Sequence, residues 1–262
     1  YHYYTELIHS AGMPRVEICQ GVRIDGTTTE PRWVNAFDAY LSATFIRHLL
    51  LSSDHPPADL TQSLIAAYSD EQHKQATFAA ARRFYKGFRE DAGPRALVCI
   101  GSMKSLPVFE CVVAGAFRAK PFAPQITVEQ LTARRVLLYF RYRDEDPDVK
   151  SVLGGRDLPL PAADGQAGVA FEVGENRWEF CPVSETEDVA VVFYVYRPAH
   201  GTVELALAGF SGRATGCIAL SLPALANQIW PPNYSRPDLK IGLFVVRFEV
   251  AARSPSERHS IP

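Results

Sequence analysis

Ala96-Leu97-Val98-Cys99-Ile100-Gly101-Ser102-Met103-Lys104-Ser105 is an apolar run that stops at Gly and Ser, and Leu106 to Phe117 continues it as an apolar stretch long enough for a helix. The same order recurs in Val203-Glu204-Leu205-Ala206-Leu207-Ala208-Gly209-Phe210-Ser211-Gly212-Arg213-Ala214-Thr215, which runs on to Leu225. A strand, a Gly/Ser turn carrying a cation and a hydroxyl, and a helix together make one crossing of an α/β sheet. Two such crossings set the expected fold: an α/β protein with a mixed, mainly parallel central sheet, antiparallel additions and an N-terminal helical layer. Turns of this kind lie at the carboxyl ends of strands, where backbone N–H groups and the positive end of a helix face an anion.

Upstream, Arg15 to Ile24 alternates apolar and polar residues as a half-buried strand does, and Asp25 to Pro31 breaks it. From Trp33 to Leu51, Val34, Phe37, Leu41, Phe45, Ile46, Leu49 and Leu50 recur at helical spacing, with a stop expected before Asp54-His55-Pro56-Pro57. Leu60 to Tyr68 and Asp70 to Phe88 read as two further helices split by Ser69, a good N-cap. In the second, Phe78, Ala81, Tyr85 and Phe88 form a stripe suited to packing on a sheet. The helical layer is therefore expected over residues 33–89.

Downstream, residues 135–143, 168–173, 177–180, 188–197, 202–208 and 240–251 carry strand signals. Val189 to Tyr196 is apolar almost throughout, as a strand covered on both faces is. The last strand alternates Phe244, Val246, Phe248 and Val250 with Arg247 and Glu249, and is expected at an edge with one wet face. Residues 1–252 are expected as one domain and 253–262 as a frayed tail with little apolar to bury. The chain starts at Tyr1 rather than Met, which leaves room for an upstream domain.

The 262 residues are 47% apolar and 21% charged, the balance of a globular protein, and no segment approaches the ~18 uninterrupted apolar residues of a membrane span. Lys and Arg number 27 against 29 Asp and Glu, so no overall field selects nucleic acid or an acidic membrane. The one helical basic cluster, Arg82, Arg83, Lys86 and Arg89, sits beside Glu71, Glu90 and Asp91 and reads as a solvated face. Cys19, Cys99, Cys111, Cys181 and Cys217 are far apart, with no CxxC and no neighbouring His, and read as reduced core thiols. With no secretory h-region at the start, a cytoplasmic location is expected, and no metal or cofactor.

At the first crossing, Gly101, Ser102, Lys104 and Ser105 are candidate anion ligands, with Pro107 placed to open the helix behind them. The order is neither the GxxxxGK[ST] of a P-loop nor the GxGxxG of a dinucleotide fold, and a Gly/Ser turn also serves as a plain connection. At the second, Gly209 and Gly212 permit close backbone approach, Ser211 and Thr215 supply hydroxyls, and Arg213 has the fork to clamp an oxyanion. A nucleophilic elbow at Ser211 requires glycines two residues to either side; Gly209 fits, but Arg213 does not.

Carboxylates available for acid–base work are Glu110, Glu172, Glu179 and Asp188, and the depth of Glu110 decides its meaning. His9, His48, His55, His73 and His200 show no pairing at metal-ligand spacing, and Asp144 to Asp148 lacks the spacing of a calcium loop. Trp178, Trp230 and Tyr234 lie in or beside strand ends, where a ring can stack.

The resulting expectation is a domain of a larger regulatory protein that senses a small anionic molecule such as a nucleotide, a homo-oligomer being compatible with it. Two alternatives stand beside it. One is an enzyme acting on a nucleotide or glycoside through Glu110 or Ser211; the other is an interaction scaffold that docks through its helical layer. The sensing expectation depends on the two Gly-rich turns opening side by side at one end of the sheet.

Overall fold

A computed structural model describes residues 15–24, 34–50, 59–68, 71–102, 104–122, 138–143, 154–155, 166–174, 177–225, 228–229 and 232–250. Apolar runs form the strands β1 (Arg15–Ile24), β2 (Asp59–Tyr68), β3 (Arg95–Ser102), β8 (Glu187–Arg197), β9 (Thr202–Gly209), β10 (Tyr234–Arg236) and β11 (Leu239–Glu249), which make a seven-stranded sheet in the order β2-β1-β3-β9-β8-β11-β10. Between them in the chain, β4 (Leu138–Arg141), β5 (Gly154–Gly155), β6 (Gly168–Gly174) and β7 (Arg177–Pro182) form a four-stranded sheet ordered β5-β4-β6-β7.

The large sheet has a parallel half and an antiparallel half, so it is mixed but not mainly parallel. β1 pairs in parallel with β2 and β3, and β3 with β9. β8 pairs antiparallel with β9 and β11, and β10 with β11. The cause is connection length: a single 3₁₀ turn, Pro198–His200, followed by left-handed Gly201 (φ 58°), joins β8 to β9, and so short a link permits only an antiparallel return.

The N-terminal helical layer is interrupted. The helix expected from Trp33 to Leu51 is present as α1 (Ala36–Phe45) with a π-helical turn at Ile46–Leu50, and that expected from Asp70 is α2 (Glu71–Glu90). Leu60 to Tyr68, however, belongs to strand β2, paired with β1 from Arg15↔Asp59 to Ile24↔Tyr68. Leu60 and Leu64 are exposed on this strand, so their spacing reflects no buried helical face.

The helices are also divided between the two faces of the sheet. Alternate residues of the central strands point opposite ways and build two cores. On one face Ile18, Val98, Ile100, Leu205 and Leu207 pack with Leu41 and Phe45 of α1 and with Ala214, Ile218 and Leu222 of α4 (Gly212–Leu225). On the other, Cys99, Phe193 and Ala206 pack with Ala81 and Phe88 of α2 and with α3 (Val108–Phe117). The small sheet joins this second core, Phe109 of α3 meeting Phe140 of β4 with ring centroids 6.1 Å apart.

β8 is covered on both faces, Val189 to Val195 being buried throughout. β11 lies one place in from the edge, bordered by three-residue β10, and its exposed Arg247 and Glu249 keep the wet face that alternation implies. No described helix is long and apolar enough to cross a membrane. The expected tail at 253–262 lies outside the described residues.

Candidate functional site

From β1 the chain runs through α1 out to β2, returns through α2 to β3, and then continues through α3 and the small sheet toward β9 on the far side. The order of strands therefore reverses at β1 and β3, and the carboxyl ends beside such a reversal form the usual ligand crevice of an open α/β sheet. Ser102, the last residue of β3, is paired in register with Gly209, the last residue of β9. Because these strands are parallel neighbours, the two Gly-rich turns open side by side at the same end.

The first turn folds tightly on itself. The N–H groups of Ser105 and Leu106 donate to the Ser102 carbonyl at 3.0 and 3.1 Å, and the hydroxyls of Ser102 and Ser105 are 2.9 Å apart. The turn rests on the backbone of β1: a Cβ at Gly21 would lie 1.8 Å from the Ser105 carbonyl oxygen. Gly101 has φ +151°, and a Cβ there would lie 3.0 Å from Asp38 Oδ2.

In the second turn the Ser211 hydroxyl accepts from the Arg213 N–H at 3.1 Å, as an N-cap does, and donates to Asp188 Oδ2. Thr215 donates through both its N–H and its hydroxyl to the Ser211 carbonyl, each at 3.1 Å. A Cβ at Gly209 would come within 2.4 Å of the Thr215 nitrogen, so β9 and α4 meet this closely because Gly209 has none. Arg213 turns aside, its two terminal nitrogens donating to the Glu185 carbonyl at 3.1 Å.

Asp38 stands where the two turns meet. It lies in the first turn of α1, whose N-cap Asn35 accepts from the Phe37 N–H at 2.9 Å. Gln20 of β1 fixes this turn by donating to the Asp38 carbonyl at 2.9 Å, and Gln62 of β2 donates in turn to Gln20. The Asp38 side chain is 1% exposed, and neither carboxyl oxygen has a hydrogen-bond partner among the described residues. Burial pushes its pKa up to about 7 against the opposing pull of the Ser102 N–H and the Ser105 and Thr215 hydroxyls. Those three donors face the carboxyl without reaching it at full hydrogen-bond geometry.

On the other face of the strand ends, Lys104 Nζ stands 4.7 Å from the ring centre of buried Phe210 and 5.8 Å from that of Tyr142. The Arg143 guanidinium lies 5.9 Å from the same Phe210 ring. Tyr142 and Arg143 follow β4 directly, so the small sheet brings a second cation and a ring to the mouth of the crossings.

The remaining candidates are distributed as follows. Glu110 is 6% exposed and accepts the Phe122 N–H at 2.5 Å, anchoring the turn behind α3. Glu172 is half-buried on β6, and Glu179 is exposed on β7 with Arg177 at 3.8 Å. Trp178 packs tilted against Tyr139 within the small sheet, ring centroids 5.3 Å apart, and Tyr234 belongs to β10. His48 is half-buried in the π-helical turn and His200 is exposed. Trp230, His9, His55 and Asp144 to Asp148 lie outside the described residues, as does the His73 side chain. Among the described residues no group of His, Cys, Asp and Glu is arranged to hold a metal ion.

Asp38, Gly21, Gln20, Tyr142 and Arg143 were not marked by sequence reasoning. The nearest signal was Asn35 followed three residues later by Asp38, an ordinary helix start in which an acid near the N-terminus needs no other explanation. Comparison with family models, curated proteins and solved structures finds nothing that matches this chain.

Proposed function

We propose that this chain is a binding module for a small anionic ligand, a nucleotide or another phosphate-bearing molecule, seated across the carboxyl ends of β1, β3 and β9. The observation that carries this reading is the register pairing of Ser102 with Gly209, which sets the two Gly/Ser turns beside each other at a strand-order reversal. In this reading Lys104 and Arg143, gathered around Phe210, supply positive charge, while the first turn of α4 supplies oriented backbone donors. Arg213 contributes long-range charge, its guanidinium being held by the Glu185 carbonyl.

Binding is favoured over turnover because both catalytic candidates have structural tasks. The Ser211 hydroxyl caps α4 and is bound to Asp188, and Glu110 holds the Phe122 N–H. A sensing role within a larger regulatory protein accords with a site assembled from α1, α4 and the small sheet, since a ligand touching all three would tie them together.

The test is thermal unfolding with AMP, ATP, ribose 5-phosphate and inorganic phosphate at millimolar concentration. A ligand at ~100 times its Kd stabilises the native state by about 2.7 kcal/mol. A rise in Tm of several degrees with at least one compound, reduced by Lys104→Ala or Arg143→Ala, is expected. Unchanged Tm across the panel would sink the proposal.

A further inference from the structure

We infer that Asp38 is the group of this site that reads ligand hydroxyls, and that the ligand is a phosphorylated sugar bearing a vicinal diol, the ribose phosphate of a nucleotide being the simplest case. This rests on the binding reading above and narrows it.

Buried polar atoms are nearly always partnered, and a buried carboxyl without a partner is costly. Asp38 is 1% exposed, yet both its oxygens lack a partner and no cation is paired with it among the described residues. Of the three donors that face it, the Ser105 hydroxyl is committed to Ser102 and the Thr215 hydroxyl to the Ser211 carbonyl, which leaves the Ser102 N–H. Two neighbouring carboxyl oxygens with free lone pairs accept two adjacent hydroxyls and repel an anionic group such as a phosphate.

The placement completes the inference. Asp38 and Thr215 stand on the α1/α4 side of the strand ends, whereas Lys104, Phe210 and Tyr142 stand on the α3 side. A molecule lying across the ends of β3 and β9 thus meets an acceptor at one side and cations at the other. A sugar phosphate has that polarity. Gly101 lies directly before the carboxyl, and the Cβ it lacks would sit 3.0 Å from Oδ2. The raised pKa of Asp38 accords with a carboxyl kept from water until a donor arrives.

The experiment is calorimetric titration of the whole chain with AMP and 2′-deoxy-AMP, with ribose 5-phosphate and 2-deoxyribose 5-phosphate, and with inorganic phosphate, repeated on Asp38→Asn. The expected result is that the ribo compound of at least one pair binds ten-fold or more tighter than its deoxy partner. Asp38→Asn should abolish that preference, so that ribo and deoxy partners bind the variant alike. Equal binding of ribo and deoxy partners overturns the inference and leaves the anion-binding reading standing; this comparison needs no variant. A ribo preference that survives in Asp38→Asn moves hydroxyl reading to another residue and likewise overturns it. No heat with any compound, inorganic phosphate included, removes both readings together.

Discussion

The Ser211 hydroxyl donates to Asp188 Oδ2 while accepting from the Arg213 N–H, so one side chain joins the start of β8 to the start of α4. Asp188 is 1% exposed, and its other oxygen accepts the Val189 N–H at 2.9 Å. Ser211→Ala therefore removes a helix cap and leaves a buried carboxylate oxygen short of a donor. Losing a cap costs about 1 kcal/mol and an unsatisfied buried acceptor about 1–3 kcal/mol, so a loss near 3 kcal/mol is expected in urea unfolding. A loss below about 0.5 kcal/mol would show that the hydroxyl has no such structural task.

Asp38 makes stability depend on pH in the direction opposite to a salt-bridged carboxylate. Its pKa rises from 3.8 to about 7 on folding, so between those values the native state holds a proton that the unfolded chain has lost. Stability from this group is complete below pH 4, declines as pH rises, and is fully lost above about pH 7. Three pKa units correspond to about 4 kcal/mol, an upper figure because solvent relaxation reduces it. Asp38→Asn, which cannot ionise, is expected to gain stability relative to wild type from pH 5 to pH 8. Parallel urea titrations at the two pH values check this, and a difference that does not grow with pH contradicts it.

What the sequence disclosed and what it concealed divide along the range of the contacts involved. The crossings were legible because Ala96 to Ser105 and Val203 to Thr215 carry their own punctuation, an apolar run ended by Gly and Ser. Leu60, Leu64, Ile65 and Tyr68 have helical spacing, yet β1 supplies a parallel partner along the whole segment, and tertiary pairing outweighs so weak a local preference. Gly21 resembled any strand glycine, since the Ser105 carbonyl it accommodates arrives from a distant turn. Asp38 was hidden in the same way: its surroundings, Gly101 and Thr215, belong to two other elements.

Cys19 and Cys99 lie in register on adjacent parallel strands, both wholly buried. Burial and the neighbouring Cys19 push the Cys99 thiol well up, and burial raises Cys111 to about 12. The thiolate is the reactive form, so Cys99 and Cys111 are inert in the folded protein, and Cys19 is shielded by its complete burial. Half-buried Cys181 and Cys217 remain as the accessible thiols among the five. Iodoacetamide at pH 8 is expected to modify Cys181 and Cys217 natively and all five in denaturant, as counted by mass spectrometry. Native modification of Cys99 ahead of Cys217 would contradict the packing of this core.

Glu204 on β9 is 0% exposed and is the anchor of the opposite end of the sheet. Its Oε1 receives Arg89 Nη1 at 2.6 Å and Arg197 Nε at 3.2 Å, and its Oε2 receives the Tyr85 hydroxyl at 2.7 Å. Burial and the Glu204 charge both push the Tyr85 pKa upward, so its hydroxyl remains a donor throughout the working pH range. Arg197 is 8% exposed, whereas 32% of the Arg89 side chain is exposed. Removing a partner from a buried pair is severe because the other charge stays behind uncompensated, at about 3–5 kcal/mol, while exposed pairs are worth about 1 kcal/mol or less. Glu204→Ala is therefore expected to be the most destabilising change, followed by Arg197→Ala, then Tyr85→Phe at about 1–2 kcal/mol, with Arg89→Ala last. Urea unfolding of the four variants gives the order directly. If Arg89→Ala proved as costly as Glu204→Ala, the solvent-facing arginine rather than the buried one would be holding α2 against the sheet.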